Sequence, residues 1–537
     1  MSYLDDISII LSSKEFRRMQ DKTQLFYSNK GDHYRTRLTH TLEVYSIALE
    51  IARHIAKKNE KQCKQAQNES GKSNTIPKFV SDDRLIAAIA LGHDVGHTPF
   101  GHVGERVLSA ILEGKDNLGG LIVDDTFDNH CFKHNINSYR ILNQFKTPDG
   151  VVRLSWQVLD GVLKHTEVCK DPSKCLHLSS ANQNDPYLLQ KNLLSGKLKT
   201  MADEVAPNSP YTYQTKFEYN KYNVALTLEG QIVAIADEIA QRVSDFDDAA
   251  RAGYWVTITN SFAKLQGTAF YNANQQAIDD IKSSKENKSV QGLCENLRRY
   301  LIRSVEYNYQ KDIVISLSKG STIHTEKCID FNTNGKKVDE IFNEINRIYI
   351  IKCEELRKCD GISTHIIRQI FKAYYNDFSQ LGDSCLETIC NDVYKKINAT
   401  LKIQNSKNIK TKEREIKFSS ALSNPISNDL SIDGRIDFLK NLKKISNKIK
   451  FSPTNKEAGS PTSMIDLFLM EVSYDRENLQ KELSLKEEEA NIQCWRRRAL
   501  IKELHSIILH DIALYIAGMT DSFAYEEYHR LYGIRNV

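Results

Sequence analysis

A histidine and an aspartate stand side by side at the end of a strongly apolar segment. Residues 85–105 read LIAAIALGHDVGHTPFGHVGE, so a run of aliphatic side chains leads directly into His93, Asp94, His97, His102 and Glu105. A buried carboxylate without a partner is costly, and a divalent cation would remove that cost. An aspartate that caps the helix beside partly exposed histidines is the other interpretation of these residues.

Two further apolar segments each carry a polar side chain of the same kind. His40 follows Arg37 by one helical turn in RTRLTH, and Asp237 interrupts the apolar run LTLEGQIVAIADEIA. A metal site needs ligands from several elements, so these residues and the His93-Asp94 doublet predict one shared site. Two imidazoles and two carboxylates favour Mn, Fe, Co, Ni, Zn or Mg over a metal that prefers thiolates.

The elements that position these residues are predicted to be helices. Apolar residues recur mainly at three- to four-residue spacing, and only 10 prolines and 24 glycines occur in 537 residues. The pattern predicts one helix from about Arg37 to Lys58. It predicts a second that is capped by Ser81 and ends near Gly92. The fold class is therefore mostly α.

Other segments of the chain are predicted to lie outside the helical core. The polar stretches near 59–78 and 170–216 are typical of insertions. The segments 313–317 and 321–325, on either side of Lys319 and Gly320, predict a small β-hairpin.

Composition excludes several classes of protein. The chain carries 73 Lys and Arg against 69 Asp and Glu, a formal charge of +4 that does not decide the partner. The longest apolar run, residues 85–91, is far below the roughly 18 residues that span a bilayer, and Asp5 and Asp6 stand where a signal peptide is basic. The 11 cysteines lack the CxxC spacing of zinc or redox sites. We expect a cytoplasmic protein with reduced thiols and no membrane contact.

The motifs together resemble those of one family. RTRLTH, GHDVGHTPFGHVGE, FKHN at Phe132–Asn135 and ADEIA at Ala236–Ala240 are similar to motifs of the HD-superfamily deoxynucleoside triphosphate triphosphohydrolases, the dGTPases and broader dNTPases. The segment YIAGMTD, Tyr515–Asp521, resembles the C-terminal helices of the same family. The spacing H…HD…D alone indicates a metal-dependent phosphohydrolase, whereas GHTPFGHVGE together with FKHN is much more specific.

The resemblance implies an architecture. We expect an HD-domain helical bundle as the catalytic core in residues 1–255, with the polar insertions noted above. A helical C-terminal region, 256–537, would extend the core and return to it near 505–533. Family members commonly form tetramers or hexamers and some require a second nucleotide, so we expect a homo-oligomer and leave a nucleotide effector open.

The resemblance also implies a reaction. Water would attack the α-phosphorus of a dNTP, dGTP among them, and release a deoxynucleoside and inorganic triphosphate. One divalent metal ion per site would be held by His40, His93, Asp94 and Asp237. His134, the histidine of FKHN, and Glu105 would form the acid/base pair at the scissile bond.

Substrate contacts are carried over in the same way. The phosphate contacts would be Arg37, His97 and His102, because the departing triphosphate requires cations and hydrogen-bond donors. Asp245, eight residues after Asp237, and Gln20 match the family's contacts to the deoxyribose, and Gln24 can be aligned in place of Gln20.

One position departs from the family pattern. Many members carry a tyrosine one turn after the last metal ligand, where this chain has Gln241 followed by Arg242. The base preference is therefore left open.

Two other functions are compatible with the same residues. Other HD proteins are nucleotidases or cyclic-nucleotide phosphodiesterases, which release monophosphate or orthophosphate. A degenerate HD site that only binds nucleotide or nucleic acid is the non-enzymatic alternative. The basic stretches 402–417, 440–450 and 496–498 leave single-stranded nucleic acid open as a partner, and solvated helix faces are their other interpretation.

Overall fold

The protein is mostly helical, which confirms the predicted fold class. The computed structural model describes residues 2–25, 34–70, 76–122, 132–143, 146–147, 150–151, 154–167, 223–254, 262–284, 287–312, 314–316, 322–324, 326–393 and 504–533. Within these residues the strands form three two-stranded antiparallel sheets.

The helices in chain order are the following. The first group consists of α1 (Tyr3–Ser12), α2 (Lys14–Arg18), α3 (Arg37–Ser70), α4 (Asp83–Gly92), α5 (His102–Leu112), α6 (His134–Asn143), α7 (Trp156–Lys164) and α8 (Leu228–Arg251). The second consists of α9 (Ala269–Ala273), α10 (Gln275–Ser284), α11 (Asn287–Ser304), α12 (Thr333–Ile345), α13 (Glu354–Asn376), α14 (Leu504–Ala517) and α15 (Asp521–Tyr532). Residues 262–265 and 383–393 are also helical.

The strands and shorter helical turns lie between these helices. The strands are β1 (Lys146–Thr147), β2 (Gly150–Val151), β3 (Val305–Tyr307), β4 (Val314–Ser316), β5 (Thr322–His324) and β6 (Ile329–Phe331). Short 3₁₀ turns cover Met19–Asp21, Tyr309–Lys311 and Phe378–Gln380, and a π-helix covers Asn346–Ile350.

The chain forms two compact units. The first consists of residues 1–105, 133–364 and 518–523, and the second of residues 106–132, 365–517 and 524–537. Every residue that the sequence predicts for the site belongs to the first unit. The predicted division between residues 255 and 256 stays a prediction, and the predicted insertion at 170–216 lies outside the described residues.

Helix α8 lies at the centre of the first unit. It packs against α3, α4, α7 and α11. Its apolar face buries Ile232, Ile235 and Ile239 almost completely, and each such side chain stabilises the fold by about 1.5–3 kcal/mol. The helices that carry His40, the His93-Asp94 doublet and Asp237 are therefore held together by one apolar core.

Buried polar pairs organise the second unit. The Tyr375 hydroxyl lies 2.7 Å from His505 Nε2, and the Tyr374 hydroxyl donates to Glu527. These bonds attach α13 to α14 and α15.

Helix α3 continues to Ser70, twelve residues past the predicted end at Lys58. The predicted insertion at 59–78 is thus helical over its first part. Its residues are polar, but Lys, Gln, Glu and Ala are all good helix formers, and Lys64 pairs with Glu60 at 2.7 Å one turn earlier. Polarity alone did not distinguish an exposed helix from a loop.

Helix α4 ends at Gly92 as predicted, and its cap is Asp82 instead of Ser81. The Asp82 side chain accepts a hydrogen bond from the Arg84 amide at 2.9 Å. All residues from Leu85 to Gly92 are buried. The doublet that follows therefore starts from a fixed position inside the core.

The predicted hairpin is confirmed by strands β4 and β5, in which Ile315 pairs with Ile323. The residues between the strands lie outside the described part of the chain. Strands β3 and β6 form a second ladder that the sequence analysis did not predict.

Among the described residues no single helix is long and apolar enough to cross a membrane. The bent pair α14 and α15 passes that test only when both helices are taken together, by length and composition.

Candidate active site

The His93-Asp94 doublet follows α4 directly. His93 is fully buried, and its Nδ1 donates a hydrogen bond to the Ala90 carbonyl at 2.7 Å. This bond places the proton on Nδ1, so Nε2 carries the lone pair that a metal ion requires. Nε2 is itself buried and has no hydrogen-bond partner among the described residues. An unpartnered buried acceptor indicates that a ligand belongs beside it.

Helices α3 and α8 bring two further ligand groups to His93. His40 Nε2 lies 2.9 Å from Asp237 Oδ1, and His93 Nε2 lies 3.8 Å from the same oxygen. Ligand atoms of all three residues lie within 4.8 Å of one another. Burial raises the pKa of Asp237, but the hydrogen bond from His40 and the adjacent imidazole of His93 outweigh burial and lower it. This cluster of imidazoles and an ionised carboxylate can hold a divalent metal ion.

Asp94 reaches the cluster at His93 while its oxygens contact two other side chains. Asp94 Oδ2 lies 3.6 Å from His93 Nε2 and accepts a hydrogen bond from Arg37 Nη1 at 2.9 Å. Asp94 Oδ1 lies 3.2 Å from His97 Nε2. Burial raises the pKa of Asp94, but the adjacent imidazoles of His97 and His93 and the guanidinium of Arg37 outweigh burial and hold it well below its usual value. The four predicted metal ligands are thus neighbours in space.

The predicted acid/base pair is formed by the first turns of α5 and α6. His134 Nδ1 lies 2.8 Å from Glu105 Oε2, and His134 Nε2 lies 3.9 Å from Asp94 Oδ1. Burial lowers the pKa of His134, but the charge and hydrogen bond of Glu105 outweigh burial and raise it. For Glu105, burial raises the pKa, and the charge of His134 and the hydrogen bond from His102 overcome burial and lower it. The pair is therefore an imidazolium bonded to a carboxylate.

His165 joins this pair, and sequence analysis assigned it no role. Its Nδ1 donates to the Val162 carbonyl at 2.7 Å, so its Nε2 is an acceptor. That Nε2 lies 3.3 Å from His134 Nε2. Burial lowers the pKa of His165 to about 4, and the adjacent imidazoles of His93 and His134 act in the same direction. The Nε2 of the neutral His165 therefore accepts a hydrogen bond from the Nε2–H of His134, which keeps a proton on that nitrogen of His134. The sequence signal for His165 is the segment Lys164-His165-Thr166, which is similar to a segment that lines the site in the HD-superfamily triphosphohydrolases.

The predicted phosphate contacts differ in exposure. His97 is buried and stacks on His134 with 3.9 Å between ring centroids. His102, the first residue of α5, is half exposed and lies 3.4 Å from Glu105. Arg37 is buried, and its Nη2 has no hydrogen-bond partner among the described residues. Arg37 Nη2 and the exposed His102 ring are thus available to an anionic ligand.

Two glycines allow the chain to pass close to these side chains. A Cβ on Gly96 would lie 2.1 Å from the Ser138 backbone nitrogen and 2.6 Å from the His134 carbonyl oxygen. Gly101 has a φ of +57°, and a Cβ there would lie 3.0 Å from Arg37 Nη2. Only glycine lets the turn after the doublet approach both α6 and Arg37 this closely.

Comparison of the sequence with known proteins identifies its family. An HD-domain family model matches residues 37–241, a range that includes the four predicted metal ligands. The chain is 33% identical over 377 residues to a deoxyguanosinetriphosphate triphosphohydrolase-like protein of Nitrobacter hamburgensis, covering 69% of this chain and 78% of the relative. The chain therefore belongs to the family of deoxyguanosinetriphosphate triphosphohydrolase-like proteins.

Other relatives carry the same name. A family member from Rickettsia prowazekii is 29% identical over 381 residues, which are 69% of this chain and 79% of the relative. A member from Geobacter sulfurreducens is 31% identical over 308 residues, and the match spans 58% of its length. The triphosphohydrolase-like family and the His/Asp cluster together support a metal-dependent phosphohydrolase.

The predicted sugar contacts of this triphosphohydrolase-like chain are placed differently. Asp245 is buried two turns after Asp237 on α8, and its Oδ2 accepts a hydrogen bond from Asn346 at 3.2 Å. Asn346 begins the π-helix, which packs on α8. Gln20 is exposed, and no described interaction brings it to the cluster, whereas Gln24 has a buried Oε1 without a hydrogen-bond partner. No described interaction ties the side chain of either glutamine to the cluster, so the choice between them stays a prediction.

The position where many family members carry tyrosine is held by an ion pair. Gln241 Oε1 accepts a hydrogen bond from Arg242 Nη1 at 3.0 Å, and Arg242 Nε lies 3.2 Å from Asp339. Arg242 is buried and paired. The cation that replaces a ring in this sequence therefore serves to hold the Gln241 amide.

Asp245→Asn is expected to raise the melting temperature more at pH 8 than at pH 5. Burial, followed by the charge of Asp248, raises the pKa of Asp245 to about 7, against about 3.9 in an unfolded chain. Between these values the unfolded state releases a proton that the folded state keeps, so the free energy of unfolding falls as pH rises and the loss is complete above pH 7. Asparagine is neutral throughout.

Thermal unfolding of both proteins without added metal measures this effect. The exposed Asp279→Asn serves as the matched control, and its melting temperature should follow the wild-type value at both pH values. A difference between Asp245→Asn and wild type that is equal at pH 5 and pH 8 would contradict the burial of an ionising carboxyl.

Proposed function

We propose that this protein hydrolyses deoxynucleoside triphosphates, dGTP among them, to a deoxynucleoside and inorganic triphosphate. The observation that carries the proposal is the Glu105–His134 pair at 2.8 Å, with His134 Nε2 only 3.9 Å from Asp94 of the metal-type cluster. A proton donor thus stands directly beside a site for a cation. That juxtaposition is what expulsion of an alkoxide from a phosphorus atom requires.

The metal would be held by His40, His93, Asp94 and Asp237. The unpartnered Nε2 of His93 and the mixed nitrogen and oxygen donors support this assignment. Mn, Mg, Fe, Co, Ni and Zn all accept such donors, so the identity of the ion is left to metal analysis. When bound, a divalent cation polarises a phosphoryl oxygen and lowers the pKa of a water molecule.

The triphosphate would bind on the side of Arg37, His97 and His102. The guanidinium of Arg37 is oriented by Asp94 at 2.9 Å and keeps Nη2 free of hydrogen bonds within the described chain. Burial and then the charge of Arg37 hold the pKa of His97 well below its usual value, so this ring is neutral. The neutral ring can donate a hydrogen bond to phosphate, and Arg37 supplies the fixed charge.

Proton transfer would then proceed from His134. A bond forms between the water oxygen and the α-phosphorus while the bond from phosphorus to the 5′ oxygen breaks. His134 Nε2 gives its proton to the 5′ oxygen. The proton that the attacking water loses passes to solvent, and solvent returns a proton to His134 Nε2 before the next turnover. Glu105 stabilises the imidazolium at Nδ1, and the neutral His165 keeps the other proton at Nε2 until substrate displaces that contact.

The deoxyribose would be contacted by Asp245, and Gln20 or Gln24 would contribute from the segment before α3. Asn346 orients the Asp245 carboxyl from the π-helix. Because Gln241 is held by Arg242, the pocket offers an amide where a ring would stack. We therefore expect turnover of more than one dNTP.

We propose a homo-oligomeric cytoplasmic enzyme, with a nucleotide effector and single-stranded nucleic acid as further ligands to test. The basic stretches that suggested nucleic acid lie outside the described residues.

Product analysis in ¹⁸O-labelled water tests the proposed reaction. The purified protein is incubated with Mn²⁺ or Mg²⁺ and each of the four dNTPs, and we expect unlabelled deoxynucleoside together with singly labelled inorganic triphosphate. Label in the nucleoside would place the attack at the sugar carbon instead of the α-phosphorus. Release of orthophosphate or monophosphate would instead support a nucleotidase or phosphodiesterase and contradict the proposal. GTP in a parallel incubation measures discrimination against ribose.

A further inference from the structure

A single carboxylate from the C-terminal end of the chain joins two segments beside the phosphate side of the site. Asp521 Oδ2 accepts a hydrogen bond from the Thr23 backbone N–H at 2.9 Å, and Asp521 Oδ1 accepts one from the Phe100 backbone N–H at 2.7 Å. Phe100 and Asp521 are separated by 421 residues in the sequence. Residues 518–523 belong to the same compact unit as both segments.

The first of these segments holds Arg37. The Thr23 carbonyl accepts a hydrogen bond from Arg37 Nε at 3.3 Å, and Thr23 pairs with Thr36 in an antiparallel bridge. The preceding residue, Lys22, also contacts Arg37, because the Lys22 carbonyl accepts a hydrogen bond from the Arg37 backbone N–H at 2.8 Å. The ammonium group of Lys22 donates a hydrogen bond to the His97 carbonyl. Moving Thr23 would therefore move the guanidinium.

The second segment sets the start of α5. Phe100 has a φ of 59° and Gly101 a φ of 57°, two consecutive residues in the left-handed region. This conformation is unfavourable for phenylalanine and persists only where other contacts impose it. The hydrogen bond to Asp521 is such a contact. The next residue is His102, and Gly101 lies against Arg37 Nη2, so this turn places both groups.

We propose that Asp521 is a positioning residue for the triphosphate, acting through Thr23 on Arg37 and through Phe100 on His102. This inference rests on the proposed function, because it assigns the phosphate end of the substrate to these two side chains. A carboxylate offers two acceptor oxygens and no donor, so it can receive both backbone N–H groups at once. Asparagine offers one oxygen and would turn its amide N–H towards the other donor.

Variants of the full-length protein test this role with a ligand that requires no turnover. Affinity for inorganic triphosphate, measured by calorimetry on the Mn²⁺-loaded protein, should fall about 10- to 100-fold in Asp521→Ala, since a displacement near 1 Å has effects of that size. Metal content should stay at the wild-type level, because Asp521 bonds no predicted metal ligand. Ser522→Ala, which removes a neighbouring hydrogen bond to Asp21 at 2.9 Å, should bind triphosphate as wild type does.

Hydrogen exchange supplies a readout that is independent of any activity. Backbone amides of residues 20–25 and 97–104 should exchange faster in Asp521→Ala than in wild type, whereas amides of α8 should not change. Asp521→Asn keeps the shape of the side chain and gives the same comparison if the alanine variant does not fold. Unchanged triphosphate affinity in both variants would overturn the proposal. So would a joint loss of metal, thermal stability and affinity, because Asp521 would then be only structural.

The two proposals can fail separately. If the wild-type protein releases products other than triphosphate, the proposed function is wrong. The hydrogen-exchange comparison then still decides whether Asp521 holds the two segments. A wild-type protein that releases triphosphate, with variants that bind it normally, removes only the role of Asp521.

Discussion

Asp237→Asn is expected to remove the bound divalent cation and to reduce dNTP turnover by more than about 100-fold, the upper range for loss of a group that merely supports a metal ligand. Asp237 contributes a carboxylate that lies close to both imidazoles, at 2.9 Å from His40 and 3.8 Å from His93. The amide keeps the size of the side chain and a hydrogen bond to His40, but it loses the negative charge. Metal per chain after dialysis against metal-limited buffer, and the Kd for Mn²⁺, measure the effect.

Asp237→Asn tests metal binding more specifically than a substitution that removes the Asp94 carboxylate. Asp94 forms a buried ion pair with Arg37, and its loss would leave a buried unpaired cation that costs about 3–5 kcal/mol of stability. Loss of activity in such a variant would not separate metal binding from unfolding. A double His93→Ala, Asp94→Ala variant is expected to lose both metal and triphosphate release, and its folding must be checked in parallel.

The matched control for Asp237→Asn is the next residue of the same helix. Glu238 is exposed on α8, and Glu238→Gln makes the same chemical change one position away. We expect its metal content and turnover to equal those of wild type. Full metal occupancy in Asp237→Asn would remove Asp237 from the ligand set.

His134→Gln and Glu105→Gln are each expected to reduce kcat by about 10²- to 10⁴-fold, the usual contribution of a general acid. Glu105 acts on the reaction through His134, which lies 2.8 Å away, so the double variant should be little slower than His134→Gln. Metal content should remain unchanged, because the proposed ion lies at His40, His93, Asp94 and Asp237. A fall in metal content would instead favour the neighbouring group of possible ligands to which both residues belong, His97, His102, Glu105 and His134. Single-turnover kinetics with saturating protein in excess over dNTP measure the rate constant of the chemical step without the contributions of binding and product release.

A change of leaving group identifies the role of His134. A p-nitrophenyl ester of triphosphate expels an oxygen that needs no proton, so His134→Gln should slow its cleavage far less than that of a dNTP. An equal loss with both substrates would assign His134 to binding or structure instead of proton donation.

A second histidine–carboxylate pair in the same unit is the matched control. His324 Nδ1 lies 2.8 Å from Asp312 Oδ1 at the β4–β5 ladder. His324→Gln makes the same substitution in a pair of the same geometry, and we expect its kcat to equal the wild-type value.

Local sequence predicted the helices well where apolar periodicity and breakers agreed. Helix α4 is an unbroken apolar run that ends at Gly92, and both features are visible in the letters. The predicted end of α3 was wrong by twelve residues. The segment after Lys58 is as polar as a loop, but its residues have a high intrinsic propensity for helix. Cap choice between Ser81 and Asp82 depended on one hydrogen bond that composition does not encode.

Some residues of the candidate site could be identified from the sequence, and others could not. Motif spacing identified the residues that converge, because each one interrupts an apolar helix or follows it directly, and such interruptions are costly unless a ligand or partner compensates them. Spacing left the choice between Gln20 and Gln24 open, and it stays open here, with Gln20 exposed and the Oε1 of Gln24 buried.

By itself the sequence predicted the helical class and the set His40, His93, Asp94 and Asp237, because a polar side chain that interrupts or follows an apolar helix is visible in the order of the residues. The acid/base roles of Glu105 and His134 were implied by the motifs that carry the family resemblance and stay a prediction. Only the tertiary structure decided the partners that come from distant elements. His165 meets His134 from α7, Asn346 meets Asp245 from the π-helix, and Asp521 joins Thr23 to Phe100 from the end of the chain. The physical reason is that a hydrogen bond depends on distance and direction in space, and residues hundreds of positions apart acquire both only when the core has packed.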